Sequence, residues 1–297
     1  MKVLISGGSG FLGKRLSLIK PDWIYFSSRE CNLFDYNQTY KFIREINPDA
    51  IIHLAARVGG ILANIASPAN FLYENNIINN NIVHASYKAG VRRLLACSST
   101  CAFPDIVKKY PFTEDDLFLG APTESNLAYG ESKRVLYLLT RSYSQQYGVS
   151  YSSFFSTNLY GKGDNFDNFS SHFIPSLIRK IYEAKSGDII NLQGDGTPLK
   201  QELYVDNLAE IIPLLLDKHL TTDPLIVANS EVKSVKEISE LCIKIARKDL
   251  FIRFNGKNNG QFRKDGSNRL LLNLIGDFEF TPLEKGLLET YLWYKDR

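Results

Sequence analysis

Tyr129 and Lys133 close the stretch Tyr129-Gly130-Glu131-Ser132-Lys133. On a helix, that spacing sets a phenol and an ammonium on one face, about one turn apart. A phenol titrating near its ordinary value of about 10 is a poor acid–base group at neutrality, and an adjacent cation favours its ionised form. The pair could then pass a proton to or from an oxygen. Tyr-x-x-x-Lys also arises by chance, and taken alone it reads as an exposed helical pair with no function. To do chemistry it needs a cofactor loop and a sheet edge that hold it in place.

The chain supplies such a loop at its start. Lys2-Val3-Leu4-Ile5-Ser6 is a short β-prone run that breaks at Gly7-Gly8-Ser9-Gly10-Phe11-Leu12-Gly13, after which Phe11, Leu12, Leu16 and Ile19 recur at helical spacing until Pro21. Strand, glycine turn and helix in that order are the setting of a dinucleotide loop, with one glycine for the turn, one for close approach to the pyrophosphate and one for helix packing. The helix amino terminus then faces the phosphates. The alternative is a glycine-rich turn of some other α/β protein.

A second strand, Trp23 to Phe26, ends at Ser27-Ser28-Arg29. Hydroxyls followed by Arg suit the 2′-phosphate of NADP(H), whereas NAD(H) calls for a carboxylate at this place. Glu30, one residue on, keeps NAD(H) as the less favoured alternative. Asn32 to Asp35 then opens a helix that Pro48 closes.

Asp49 to Ala56 reads as a third, fully buried parallel strand, with Leu54, Ala55 and Ala56 leaving room for a ligand at its carboxyl end. His53, a lone histidine in that apolar run, is assigned to the core. A long helix from Pro68 to Ala89 is rich in asparagine, most of it expected to be solvated. Val91 to Ala96 makes a fourth strand that delivers Cys97-Ser98-Ser99-Thr100-Cys101 to the same sheet edge as the glycine loop. Ser150 to Ser156 and Leu225 to Ala228 supply two more strands. The pattern predicts an α/β fold, a Rossmann-type doubly wound parallel sheet, with a smaller α/β lobe on the carboxyl-terminal side. The expected division is residues 1–162 for the dinucleotide domain, with 201–232 returning to it, and 163–200 plus 233–297 for the smaller lobe.

Composition narrows the function. Of 297 residues, 44% are hydrophobic and 23% charged, ordinary for a folded domain. A net charge of +3 without a dense Lys/Arg run argues against nucleic acid and leaves room for a local patch that meets an anionic small molecule. The four cysteines form no Cys-x-x-Cys pair and have no histidine at metal spacing, so no metal site is expected. No stretch approaches the ~18 apolar residues of a membrane span, and no secretory leader pattern precedes the first strand. The expectation is a reducing, cytoplasmic, soluble protein.

Several segments together resemble the GDP-L-fucose synthases, within the extended short-chain dehydrogenase/reductases. His53-Leu54-Ala55-Ala56-Arg57-Val58-Gly59-Gly60-Ile61 is similar to their His-Leu-Ala-Ala-Lys-Val-Gly-Gly-Ile, and Ser99-Thr100-Cys101-Ala102-Phe103-Pro104 to their Ser-Ser-Cys-Ile-Tyr-Pro. Thr157 to Gly161, Asp164-Asn165-Phe166, Ser171 to Pro175 and Asp265-Gly266-Ser267 extend the likeness over nearly the whole chain. The resemblance implies that Tyr129 gives a proton to a sugar ketone, that Lys133 is its ribose-binding partner and that Ser99 holds the ketone oxygen. It matches Cys101 and His172 to the pair that inverts carbons beside the ketone. The implied cofactor set adds Asp35, Leu54, Ala55, Ala56, Cys97, Ser98, Asn158, Leu159, Tyr160, Gly161 and His172 to the glycine loop, the Ser27–Arg29 turn, Tyr129 and Lys133. The implied substrate set is Ser99, Asn158, Lys180, Gln193, Lys200, Asp265 and Arg269. A homodimer through the helices at 68–89 and 129–147 is also implied.

The activity so implied is NADPH-dependent C4 reduction of a GDP-4-keto-6-deoxy sugar, with or without 3,5-epimerisation at the same site. Departures fall on the sugar end: Gln193 stands where the family usually has Trp, Lys200 where it has Arg, and Arg269 where it more often has Lys. Neither an aromatic face nor a bidentate fork is replaced by these side chains. A variant sugar is therefore expected, such as a deoxyheptose or a dideoxyhexose. Two other readings stay open, a nucleotide-sugar 4-epimerase with tightly bound NAD and a non-catalytic dinucleotide-binding regulatory protein.

Overall fold

A computed structural model of the chain describes residues 1–257 and 260–297. The first half alternates strand and helix: β1 (Val3–Ser6), α1 (Phe11–Ile19), β2 (Ile24–Phe26), α2 (Tyr36–Ile46), β3 (Ala50–His53), the short α3 (Ile61–Ala66), α4 (Pro68–Lys88), β4 (Arg93–Ser99), α5 (Leu127–Tyr147) and β5 (Ser150–Ser156). The second half holds β6 (Asn158–Tyr160), α6 (Phe173–Glu183), β7 (Ile189–Leu192), β8 (Leu199–Lys200), β9 (Glu202–Tyr204), α7 (Val205–Lys218) and β10 (Leu225–Val227). It ends with β11 (Lys233–Ser234), α8 (Val235–Ala246), β12 (Phe251–Phe254), β13 (Arg263–Lys264), α9 (Arg269–Ile275) and α10 (Leu283–Lys295).

Six parallel strands in the order β2-β1-β3-β4-β5-β10 form the central sheet, the Rossmann-type arrangement that the glycine loop predicts. The chain leaves β1 toward β2 and then returns to its other side at β3, so a crevice opens at the carboxyl ends of β1 and β3. Because strand side chains alternate, Val3 and Ile5 face one layer and Leu4 the other. The first layer packs Leu12, Leu16, Leu208, Ile212 and Leu271 on the sheet, and the second packs Ile43, Ile82, Val83 and Leu136.

Local chemistry ends these helices where the sequence indicates. Asp35 caps α2 by accepting from Gln38 N at 3.0 Å, and Asn47 closes it in the left-handed region at φ 48°. Two of the six asparagines of α4 are not solvated. Asn75 and Asn79 are wholly buried, because one amide can satisfy two otherwise orphaned groups at once. Asn75 accepts from Arg57 N at 2.9 Å and donates to Arg57 O and Phe71 O. Asn79 bonds His53 Nε2 at 3.1 Å and donates to Ser132 O at 3.2 Å, tying β3 to the middle of the Tyr129–Lys133 turn. His53 is a core residue whose Nδ1 meets Ser6 Oγ at 2.7 Å, and burial pushes its imidazole down to about 3.

A smaller core gathers Ile174, Leu177 and Ile181 of α6, Leu192 of β7, Ile238 of α8 and Leu287 of α10. The segment 233–297 is not confined to it. Leu271 and Ile275 of α9 join the large core beside α7, since an amphipathic turn there covers the exposed end of that layer. In the segment Asn255 to Ser267, expected to be a loop over the substrate or a surface loop, residues 258 and 259 lie outside the described residues. Among the described residues, no helix is long and apolar enough to cross a membrane.

Candidate active site

The glycine loop joins β1 to α1 against the end of β3. Gly7 has φ 77°, and a Cβ there would stand 2.8 Å from Ala55 N. A Cβ on Gly13 would run into the carbonyl of Gly7, so the first turn of α1 can lie on the loop only without one. Gly8 and Ser9 open onto a cavity of about 510 Å³ that Lys14, Ser27, Ser28 and Arg29 also line. Two cations, hydroxyls and the amino end of a helix form a donor set suited to phosphate. Glu30 does not compete for it: its carboxylate accepts from Ser27 N at 2.7 Å and Ser27 Oγ at 2.6 Å, which holds it below the usual carboxylate range. Asp35 is occupied as the α2 cap.

Tyr129 and Lys133 stand on the first turns of α5, alongside the end of β4. Ser98 Oγ donates to Lys133 O at 3.1 Å, and Lys133 Nζ donates to Cys97 O at 3.1 Å. The ammonium lies 5.6 Å from the centre of the Tyr129 ring, whose other neighbour, Phe71, meets it edge-on at 6.4 Å. The expected lowering of the phenol does not occur here. Burial pushes Tyr129 well above its ordinary value, with only the Ser99 hydroxyl favouring ionisation. Burial likewise lowers the Lys133 ammonium.

Ser99 ends β4, and its hydroxyl accepts from Cys101 N at 3.2 Å, capping the tight turn at residues 100–102. Cys101 Sγ meets Lys264 Nζ at 2.8 Å. Burial opposes the ionised thiol, but Lys264, Ser99 and Lys200 together hold it below the usual thiol range. His172 stands at the amino end of α6 without a side-chain capping bond, and burial and then Lys264 push its imidazole down.

Short strands bring the remaining groups in. Asn158 of β6 pairs in register with Glu202 of β9, and Lys200 of β8 with Lys264 of β13. Glu202 is 5% exposed and lies within 3.5 Å of Asn158 Nδ2; burial raises it to about 7, offset in part by Lys200. Burial lowers the Lys200 ammonium. The sequence reading missed Glu202 and Lys264. The i, i+2 spacing of Lys200 and Glu202 puts both on one strand face and could have pointed to the first; nothing in the sequence points to the second.

The structure thus brings Ser99, Cys101, Tyr129, Lys133, Asn158 and Lys200 to one place, with His172 coupled through Lys264. The remaining expected contacts are engaged otherwise. Lys180 Nζ donates to Asn191 O at 3.1 Å, Asp265 takes a bidentate pair from Arg263 at 2.6 and 3.0 Å, and Gln193 and Arg269 are exposed. Tyr160 is 1% exposed in the smaller core, so that only its backbone is left to line a cofactor. Leu54 and Ala55 donate their amides to Ser6 Oγ at 3.2 and 3.3 Å, which pins the end of β3 beside the loop.

Residues 3–228 match the model of the NAD dependent epimerase/dehydratase family. A GDP-L-fucose synthase from Dictyostelium discoideum is 33% identical over 305 residues, covering 99% of this chain and 95% of the relative. The chain belongs to the GDP-L-fucose synthase family, within that larger one. Among solved structures, a GDP-L-fucose synthetase from Naegleria fowleri bound to NADP has a TM-score of 0.90 at 32% identity, over 99% of this chain and 92% of that one. A GDP-6-OMe-4-keto-L-xylo-heptose reductase from C. jejuni has a TM-score of 0.93 over 99% of this chain and 97% of its own, and at 22% identity that likeness is one of fold. The fold of that GDP-L-fucose synthetase thus extends over nearly the whole of this chain.

Proposed function

We propose that this protein reduces the C4 ketone of a GDP-4-keto-6-deoxy sugar with NADPH, and that epimerisation beside the ketone takes place at the same site. The observation that carries the reading is the convergence of Ser99, Cys101 and Tyr129 at the carboxyl edge of the sheet, next to a phosphate-suited glycine loop. When bound, NADPH supplies the hydride. Lys14, Ser27, Ser28 and Arg29 suit its 2′-phosphate end, the amides after Gly10 its pyrophosphate, and Lys133 its ribose.

Tyr129, held protonated by burial, is poised to give its proton to the ketone oxygen as negative charge develops there, with the Ser99 hydroxyl donating to the same oxygen. A ketone makes the neighbouring C–H acidic. Cys101 takes that proton as base on one ring face, and His172 returns one on the other. The GDP-sugar relatives support the nucleotide, and the family departures at Gln193 and Lys200 support a substrate that differs from the ordinary fucose precursor, such as a deoxyheptose or a dideoxyhexose.

We also read residues 163–200 and most of 233–297 as the substrate-holding lobe, and the protein as a cytoplasmic homodimer. Leu72, Tyr73 and Leu138 expose apolar surface on α4 and α5, the faces on which such a dimer would close.

The decisive experiment is mass spectrometry of the purified protein with NADPH and a panel of GDP-4-keto sugars in D2O. The expected product is reduced and carries solvent deuterium beside the former ketone. No NADPH oxidation with any such sugar sinks the reading; reduction without deuterium leaves a simple reductase.

A further inference from the structure

Arg263 and Lys264 form β13 and Asp265 follows directly, and the alternation of an extended chain sends consecutive side chains to opposite faces. Arg263 and Asp265 pair with each other on one face through two hydrogen bonds. Lys264 is left on the other, toward Cys101, with its Nζ 2.8 Å from Sγ. Its register partner across the parallel pair is Lys200, also half-buried.

Two ammonium groups side by side in a sheltered sheet repel one another unless anions lie beside them. Glu202 supplies at most one negative charge, and it sits on the Lys200 side, two residues along the same chain and paired with Asn158. An ionised Cys101 would supply the second, on the Lys264 side, where its Sγ lies 2.8 Å from Nζ. The other groups that bear on this thiol are Ser99, from the end of β4, Lys200, from β8, and Tyr129 and Lys133, from α5; the two lysines add positive charge at longer range, Ser99 and Tyr129 present hydroxyls, and none offers a competing anion while Tyr129 is protonated. His172, at the start of α6, is held neutral in part by the same Lys264.

We propose that Lys264 is the positioning residue that keeps Cys101 as a thiolate, so that its sulfur is a ready base toward the carbon beside the sugar ketone. This rests on the reading that Cys101 meets that carbon. In the step, the S–H bond forms as the C–H bond breaks, the electron pair moves onto the ketone oxygen to give the enolate, and Lys264 keeps its own proton. The same ammonium disfavours a second positive charge on His172. The two proton carriers would then be set in opposite senses by one residue, with Cys101 empty and ready to receive and His172 limited to passing on a proton it holds only briefly.

The test reads the thiol without any substrate. Alkylation of Cys101 by iodoacetamide is followed across pH by mass spectrometry on the NADP-bound protein, alongside thiolate ultraviolet absorbance corrected with Cys101→Ser. Wild type is expected to titrate below the ordinary thiol value of about 8.5. Lys264→Met should move the midpoint above that value and slow alkylation at neutral pH by at least about tenfold, while Lys264→Arg keeps the low midpoint. Should Lys264→Met fail to fold, as judged by NADPH binding, Lys264→Gln takes its place. Equal midpoints in wild type and the neutral variant overturn the inference. A shifted midpoint with no deuterium entering any sugar upholds the Lys264–Cys101 pair and overturns the epimerisation reading instead.

Discussion

Lys133 Nζ donates to the carbonyl of Cys97 at 3.1 Å and stands 5.6 Å from the centre of the Tyr129 ring. Its ammonium is thereby fixed to β4, one strand end away from the phenol it accompanies. Burial, not that cation, dominates Tyr129 and keeps it protonated. A phenol in that state serves as a proton donor.

Tyr129→Phe removes the donor and leaves the ring packing against Phe71. We expect kcat for reduction to fall roughly 10²- to 10⁴-fold, with NADPH binding preserved. Absorbance assays of turnover and fluorescence titration of the cofactor check the two halves separately.

Arg29→Ala removes one of two cations beside the cavity next to Gly8. A charge-assisted contact of about 1.5–3 kcal/mol corresponds to a loss of roughly 10- to 100-fold in kcat/KM with NADPH. Activity with NADH should change little. An equal loss with both cofactors means that Arg29 does not read the 2′-phosphate.

Asp164 is 9% exposed, and burial raises its carboxyl to about 7 although Asn165 N donates to it at 2.7 Å. Because the folded value lies above the unfolded one, its contribution to stability is full below about pH 4 and is lost as pH rises through 7. Asp164→Asn should therefore be more stable than wild type at pH 8, by on the order of 2 kcal/mol, and similar to it at pH 4. Urea unfolding at the two pH values gives the answer.

Gly130 lets α5 approach the Cys101 turn: a Cβ there would collide with the Cys101 carbonyl and stand 2.8 Å from Pro122 Cβ. Gly130→Ala should cost about 1–3 kcal/mol of stability and also lower kcat, by displacing Tyr129 from Ser99. Thermal unfolding with parallel kinetics tests this; an unchanged melting temperature contradicts it.

Much of the molecule could be read from local pattern. The glycine loop, the strand run (buried from Ala50 to His53, with Leu54 to Ala56 half-buried beyond its end) and the phenol–ammonium spacing each depend on residues close in sequence, and their periodicities translate directly into strand, turn and helix. Asn75 and Asn79 could not be read that way. Whether an asparagine is solvated or buried depends on which polar groups the rest of the fold sets against it, here the backbone of Arg57 and the carbonyl of Ser132. Asp35 and Glu30 likewise look like free carboxylates in the sequence, and each is occupied by backbone amides a few residues away.

The sequence by itself determined the cofactor half of this protein, because a strand–glycine–helix unit and a Tyr-x-x-x-Lys turn are short-range devices whose geometry follows from spacing. Only the tertiary structure decided the substrate half. β6, β8, β9 and β13 are strands of two or three residues, too short to show a period, and they set Asn158, Glu202, Lys200 and Lys264 beside Cys101 by pairing segments far apart in the chain. The charge state of Cys101 depends on that pairing, since 2.8 Å from an ammonium is a property of the fold and of no local motif.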